Sequence, residues 1–99
     1  MDNTMYRVEI ISNQSVQDDI IELLEQEIEG VQYTIIPDVQ GKGLKSKKIG
    51  DTTWPEMNFA LYTYVDYAAA KKIKAIIEAA KKKFPAEGIS VFFIKCEEI

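Results

Sequence analysis

The residue types that most often do chemistry near neutral pH are scarce in this chain. It has no histidine and one cysteine, Cys96, so neither a Ser-His nor a Cys-His nucleophile pair can form within it. A zinc or copper site would need carboxylates alone, and these suit hard cations better. What chemical potential remains is concentrated between residues 41 and 58. The first half of that stretch carries Lys42, Lys45, Lys47 and Lys48 with no acid; the second half carries Asp51, Trp54 and Glu56. Gly41, Gly43 and Gly50 free the backbone for tight turns or for close approach to a ligand. Gly41-Lys42-Gly43 near a strand end can present backbone amides and an ammonium to phosphate or carboxylate. Its spacing is not that of a Walker A loop. Trp54 either anchors the loop by burying its ring or grips a partner from an exposed position. Asp51 and Glu56 are expected to be solvated acids. No catalytic residue and no metal ligand is assigned.

The elements that must carry this stretch follow from periodicity. Between Met5 and Ile11, Tyr6, Val8 and Ile10 alternate with Arg7, Glu9 and Ile11, which predicts a strand. Asn13 or Ser15 is the expected cap of a helix, Ser15 with Asp18 making a capping-box-like start. Its apolar stripe is Val16, Ile20, Leu23, Leu24 and Ile28, and Gly30 is the expected C-cap. A second strand is predicted from Val31 to Ile36 and on towards Val39. Pro37 there demands a sheet edge or a bulge. A third strand covers Phe59–Val65. Asp66 is placed to cap a second helix with Ala69, Ile73, Ile76, Ile77, Ala80 and Phe84 on one face. Lys81, Lys82 and Lys83 suit the negative end of that helix. Ile89–Cys96 is the fourth strand.

This order predicts a single α+β domain over residues 1–99, of ferredoxin-like βαββαβ type. A four-stranded antiparallel sheet would carry both helices on one face, with a long loop between the second and third strands. A connection of eighteen residues far exceeds the usual hairpin length, and such loops are commonly functional.

Charge is segregated within a net −4. Residues 15–29 hold six acids and no base, while residues 71–83 hold six lysines and one acid. The two helices are therefore expected to complement each other side by side, and an acidic chain with one arginine is a poor binder of nucleic acid. No apolar run approaches the ~20 residues that span a bilayer, so no membrane insertion is expected. Met1-Asp2-Asn3-Thr4 lacks the order of a secretory signal, and the lone cysteine fits a reducing compartment; the expected location is the cytoplasm. The third and fourth strands are apolar on both faces: Leu61, Val65, Val91 and Phe93 on one, Tyr62, Tyr64, Phe92 and Ile94 on the other. A two-faced apolar sheet with helices on one side predicts a closed homo-oligomer, the alternative being a monomer that offers this face to a different partner.

The element order, the long loop opening Gly41-Lys42-Gly43 after Tyr33-Thr34-Ile35-Ile36, and the segment from Asp51 to Asn58 together resemble the PII signal-transduction family and its PII-like relatives. The resemblance covers nearly the whole chain. It implies a homotrimer with ligand sites in the clefts between subunits, where the loop base meets the segment between the second helix and the fourth strand. The implied ligand is an adenine nucleotide or another small anion, and the implied output is a protein target such as a transporter, enzyme or transcription factor, engaged by the loop. Carried over by position, Gly41, Lys42 and Gly43 are the ligand-contacting residues. Lys45, Lys47, Lys48, Trp54 and Glu56 are loop residues for a partner. Pro85-Ala86-Glu87-Gly88 departs from the pattern, with an acid where PII proteins proper have a glycine-rich, lysine-containing phosphate loop. The arginine-bearing C-terminal loop of those proteins is expected to lack a counterpart. The long loop has no tyrosine, so control by uridylylation is not implied. The expectation is a regulatory binding protein and not an enzyme, with a ligand-independent adaptor as the alternative and a small ferredoxin-like enzyme behind it.

Overall fold

The computed structural model describes residues 4–43, 47–50 and 56–99. The chain runs β1 (Met5–Asn13), a single 3-10 turn (Gln14–Val16), α1 (Gln17–Glu27), β2 (Thr34–Val39), a short pair β3 (Gly41–Lys42) and β4 (Lys47–Lys48), β5 (Asn58–Val65), α2 (Tyr67–Lys83) and β6 (Ile89–Cys96). The antiparallel sheet has the order β2-β5-β1-β6, so the expected third and fourth strands are β5 and β6. This is the predicted ferredoxin-like arrangement. No described helix is long and apolar enough to cross a membrane.

The predicted alternation sets the faces of the sheet. Val8 and Ile10 of β1, Phe59 and Leu61 of β5, and Ile89 of β6 point to the helix side and are buried. There they meet Val16, Ile20 and Leu24 from the first helical segment and Ile73, Ile76, Ile77 and Ala80 from α2. At about 25 cal/mol per Å² of apolar area, this contact is the main stabilising term of the domain. Asp66 caps α2 as expected, accepting a hydrogen bond from the Ala69 amide at 2.9 Å. Lys72 reaches from α2 to the Glu27 carbonyl at the end of α1, 3.4 Å away. Among the described residues the complementary helices are joined by that contact and by no ion pair.

Three local expectations need correction. The first helix has no side-chain cap: neither Asn13 nor Ser15 bonds back to its opening turn, which is a 3-10 turn instead. Asn13 is drawn into other bonds across the sheet end. α1 stops at Glu27, because Ile28 leaves helical geometry (φ −124°, ψ 103°) while packing against the core. Gly30 supplies the left-handed turn that follows (φ +68°). β2 begins at Thr34, not Val31; the Gln32 carbonyl instead accepts the buried Thr63 hydroxyl at 2.7 Å. The Pro37 prediction holds. β2 is an edge strand, and one extra residue is accommodated between Ile36 and Val39, with Asp38 at φ +55°.

The face away from the helices is open in the single chain. Ile36, Tyr64, Phe92 and Ile94 each leave 45–54% of their surface in water. Between them lies a polar island, the Arg7–Glu9 ion pair at 3.7 Å, with the Arg7 guanidinium 4.2 Å from the centre of the Tyr62 ring.

Candidate functional site

The antiparallel register brings three chain segments to one end of the sheet. Asn13 pairs with Asn58 and Ser12 with Ile89, so the end of the long loop and the turn before β6 flank the last residues of β1. The backbone amide of Gln14 donates to the Met57 carbonyl at 3.0 Å, and that of Asn13 to the Gly88 carbonyl at 3.4 Å. The Asn13 side chain is 2% exposed. Its amide nitrogen donates to Glu56 Oε2 at 3.2 Å and to Glu87 Oε2 at 2.6 Å. Ionised carboxylates only accept, so the amide must turn its two N–H groups towards them, one to each. Next to it the Ser12 hydroxyl is buried without a hydrogen-bond partner among the described residues.

Lys48 extends this chain of bonds by pairing with Glu56 Oε2. The lysine side chain is 16% exposed, the glutamate 58%. Lysine is rarely withdrawn that far from water unless paired. The hydrogen bond and charge of Lys48 hold the Glu56 carboxyl below the ordinary glutamate range, and the Asn13 amide adds to this. The linkage thus runs Lys48, Glu56, Asn13, Glu87, and one buried amide ties the loop to the turn before β6.

The loop above this root starts as a two-stranded arm in which Gly41 pairs with Lys48 and Lys42 with Lys47. Gln40 Nε2 donates to the Ile49 carbonyl at 3.3 Å just below. Two glycines here are tightly approached by side-chain ends, and Gly50 also has a left-handed backbone that favours glycine. A Cβ on Gly41 would lie 2.8 Å from Asn58 Nδ2, and one on Gly50, itself at φ +70°, would lie 2.7 Å from Met57 Sδ. A side chain at Gly41 would require the Asn58 amide to shift. Lys42 and Lys47 face each other directly across the arm, an unfavourable like-charge pair that an anion between them would relieve.

Of the residues singled out from sequence, the structure gathers Gly41, Lys42, Lys47, Lys48 and Glu56 at or just above the root. Gly43 is exposed where β3 ends. Lys45, Asp51 and Trp54 lie outside the described residues. Two members of the site were missed: Asn13, taken as a helix cap, and Glu87, noted only as a departure from a pattern. They are 74 positions apart in sequence, and no local signal joins them. Two hollows, of about 940 and 610 Å³, lie at the opposite end of the sheet around Met5, Cys96 and Glu97.

The fold is that of the PII-like signalling proteins. Similar solved structures include CPII, a nitrogen regulatory PII-like protein from Thiomonas intermedia K12, bound to ADP and bicarbonate (TM-score 0.72, 21% identity, covering 94% of this chain and 86% of that one). A PII-like signalling protein from Thermus thermophilus is similar at TM-score 0.68 and 20% identity, over 94% of this chain and 87% of its own. A de novo designed protein, Foldit4, shares the architecture at TM-score 0.62 and 14% identity, over 94% and 99% of the two chains. A shared scaffold does not by itself assign an activity. No family model matches the chain. No curated protein sequence matches it either.

Proposed function

We propose that this chain is a trimeric regulatory protein of the PII-like kind, which senses a small anion at the root of its long loop and acts on a protein target through that loop. The observation that carries this reading is the linkage at buried Asn13. It makes the position of the loop depend on the turn that faces it, which a signalling loop on this fold requires. CPII, with the same architecture, binds ADP and bicarbonate. The opposed Lys42 and Lys47, with Gly43 beside them, are the anion-attracting part, while Lys45 and Trp54 are the residues assigned to the target. Closing the open sheet face around a three-fold axis removes Ile36, Tyr64, Phe92 and Ile94 from water and gives the root a second wall from the neighbouring subunit.

Glu87 at the turn disfavours the phosphates of a nucleotide there, so a compact anion such as bicarbonate is the preferred ligand and an adenine nucleotide the second choice. The reading is of a cytoplasmic binding protein and not an enzyme. Isothermal titration with bicarbonate, acetate, ADP and AMP tests it. Saturable binding of at least one, lost in the Lys42→Gln, Lys47→Gln double variant, is expected; no binding by any of the four contradicts it. A ligand at 100 times its dissociation constant would add about 2.7 kcal/mol to the stability, visible as a shift in melting temperature.

A further inference from the structure

The contact between Lys48 and Glu56 is unlike the others at the root, because the lysine is the withdrawn partner and the acid the exposed one. A lysine kept from water needs an anion beside it, and in the free chain that anion is a side chain from the far arm of the same loop. Glu56 also accepts from Asn13, which in turn holds Glu87. We infer that Glu56 is an internal competitor for anions: its carboxylate occupies the Lys48 ammonium until an external anion takes that place, and its displacement releases the loop from the turn before β6. This rests on the anion-sensing reading above and assigns its trigger.

The consequence for charge is direct. With Lys48 neutralised by a ligand, Glu56 and Glu87 remain as two carboxylates on the two N–H groups of one amide, with no other cation paired to them among the described residues. Like charges so placed repel, so the tie at Asn13 weakens when Lys48 changes partner. The competitor also sets a threshold. A carboxylate tethered eight positions along the chain acts at an effective concentration of about millimolar, so an external monoanion must approach that level to displace it. Such a site responds to an abundant small anion and ignores a scarce one.

The test uses the full chain and the same probes, bicarbonate, acetate, ADP and AMP, with circular dichroism and sedimentation confirming that each variant is folded and keeps its assembly. Glu56→Gln keeps the size of the side chain and removes the competing charge. It is expected to tighten the dissociation constant of a bound probe by about two- to fivefold, the range of an exposed ion pair. It is also expected to raise ligand-free amide exchange at residues 56–58 and 87–88 together. Lys48→Gln is expected to weaken binding while raising the same exchange. Binding by Glu56→Gln with none by the wild type overturns the anion-sensing reading and, with it, the inference. Wild-type binding that is unchanged or weakened in Glu56→Gln overturns it and leaves the anion sensor standing. No binding by either protein overturns both.

Discussion

The helix-covered face of the sheet and the root of the long loop are held by different forces, and in the proposed reading that difference separates stability from switching. The covered face is a contiguous apolar layer in which Val8, Ile10, Phe59, Leu61, Ile73 and Ile77 are wholly buried. No single contact there is essential, because each side chain touches many others. The root is a linear chain of polar bonds from Lys48 through Glu56 and Asn13 to Glu87, each with one specific partner. Breaking one bond in such a chain uncouples the side chains on either side of it, leaving only the backbone bonds from Gln14 to Met57 and from Asn13 to Gly88. A layer resists a ligand, whereas a chain can be opened by one.

The largest effect is expected in the layer. Leu61→Ala should cost about 2–5 kcal/mol in urea unfolding, for lost transfer energy plus the cavity. Its effect should be global, with amide exchange rising everywhere. A Leu61→Ala change that loosened the loop alone would break the distinction. Asn13→Ala comes next, at about 1–3 kcal/mol, because it leaves Glu56 and Glu87 without their buried donor. Here the expected signature is local: exchange rises at residues 56–58 and 87–88 before the core responds. Ser12→Ala lies at the boundary of the two regions. It deletes a buried hydroxyl that has no described partner, and should be neutral or stabilising by up to about 1 kcal/mol. A clear loss of stability would show that the hydroxyl is bonded.

The smallest effect is the pH dependence of the root. Glu56 has a lowered pKa, so the folded state holds its carboxylate more strongly than the unfolded chain does. The stabilisation is fully present above the ordinary glutamate pKa and is lost as pH falls through the lowered folded value. Acid titration followed by amide exchange at the root should show loosening only in that acidic window, and Glu56→Gln should remove this component. Loosening between neutral pH and pH 6 would assign the titration to another group.

The covered face was legible in the sequence because its information is local. Alternation in β1 and the spacing of Ile73, Ile76, Ile77 and Ala80 in α2 each identify a buried face without reference to anything distant. Asp66 and Pro37 were legible for the same reason, a cap and a ladder-breaker each acting on its own neighbours. The root was not. Asn13 has the residue type of a helix cap and stands directly before a helical segment, so propensity assigned it that role. Tertiary partners 43 and 74 positions away claimed its amide instead. The early end of α1 was hidden likewise, since Gly30 is a sound local stop signal but the packing of Ile28 ends the helix first. The long loop was found by its length and lysine content. Its inner pairing, Lys42 against Lys47, is a register that composition does not reveal.

In the proposed reading, both a second wall for the anion site and the shielding of Tyr64, Phe92 and Ile94 depend on three copies closing over the uncovered side of the sheet. Sedimentation equilibrium at micromolar concentration measures this directly. A mass three times the 11.3 kDa of one chain, falling to a single chain when Phe92 and Ile94 are replaced by glutamate, is the predicted result. A wild-type species of 11.3 kDa would contradict the account.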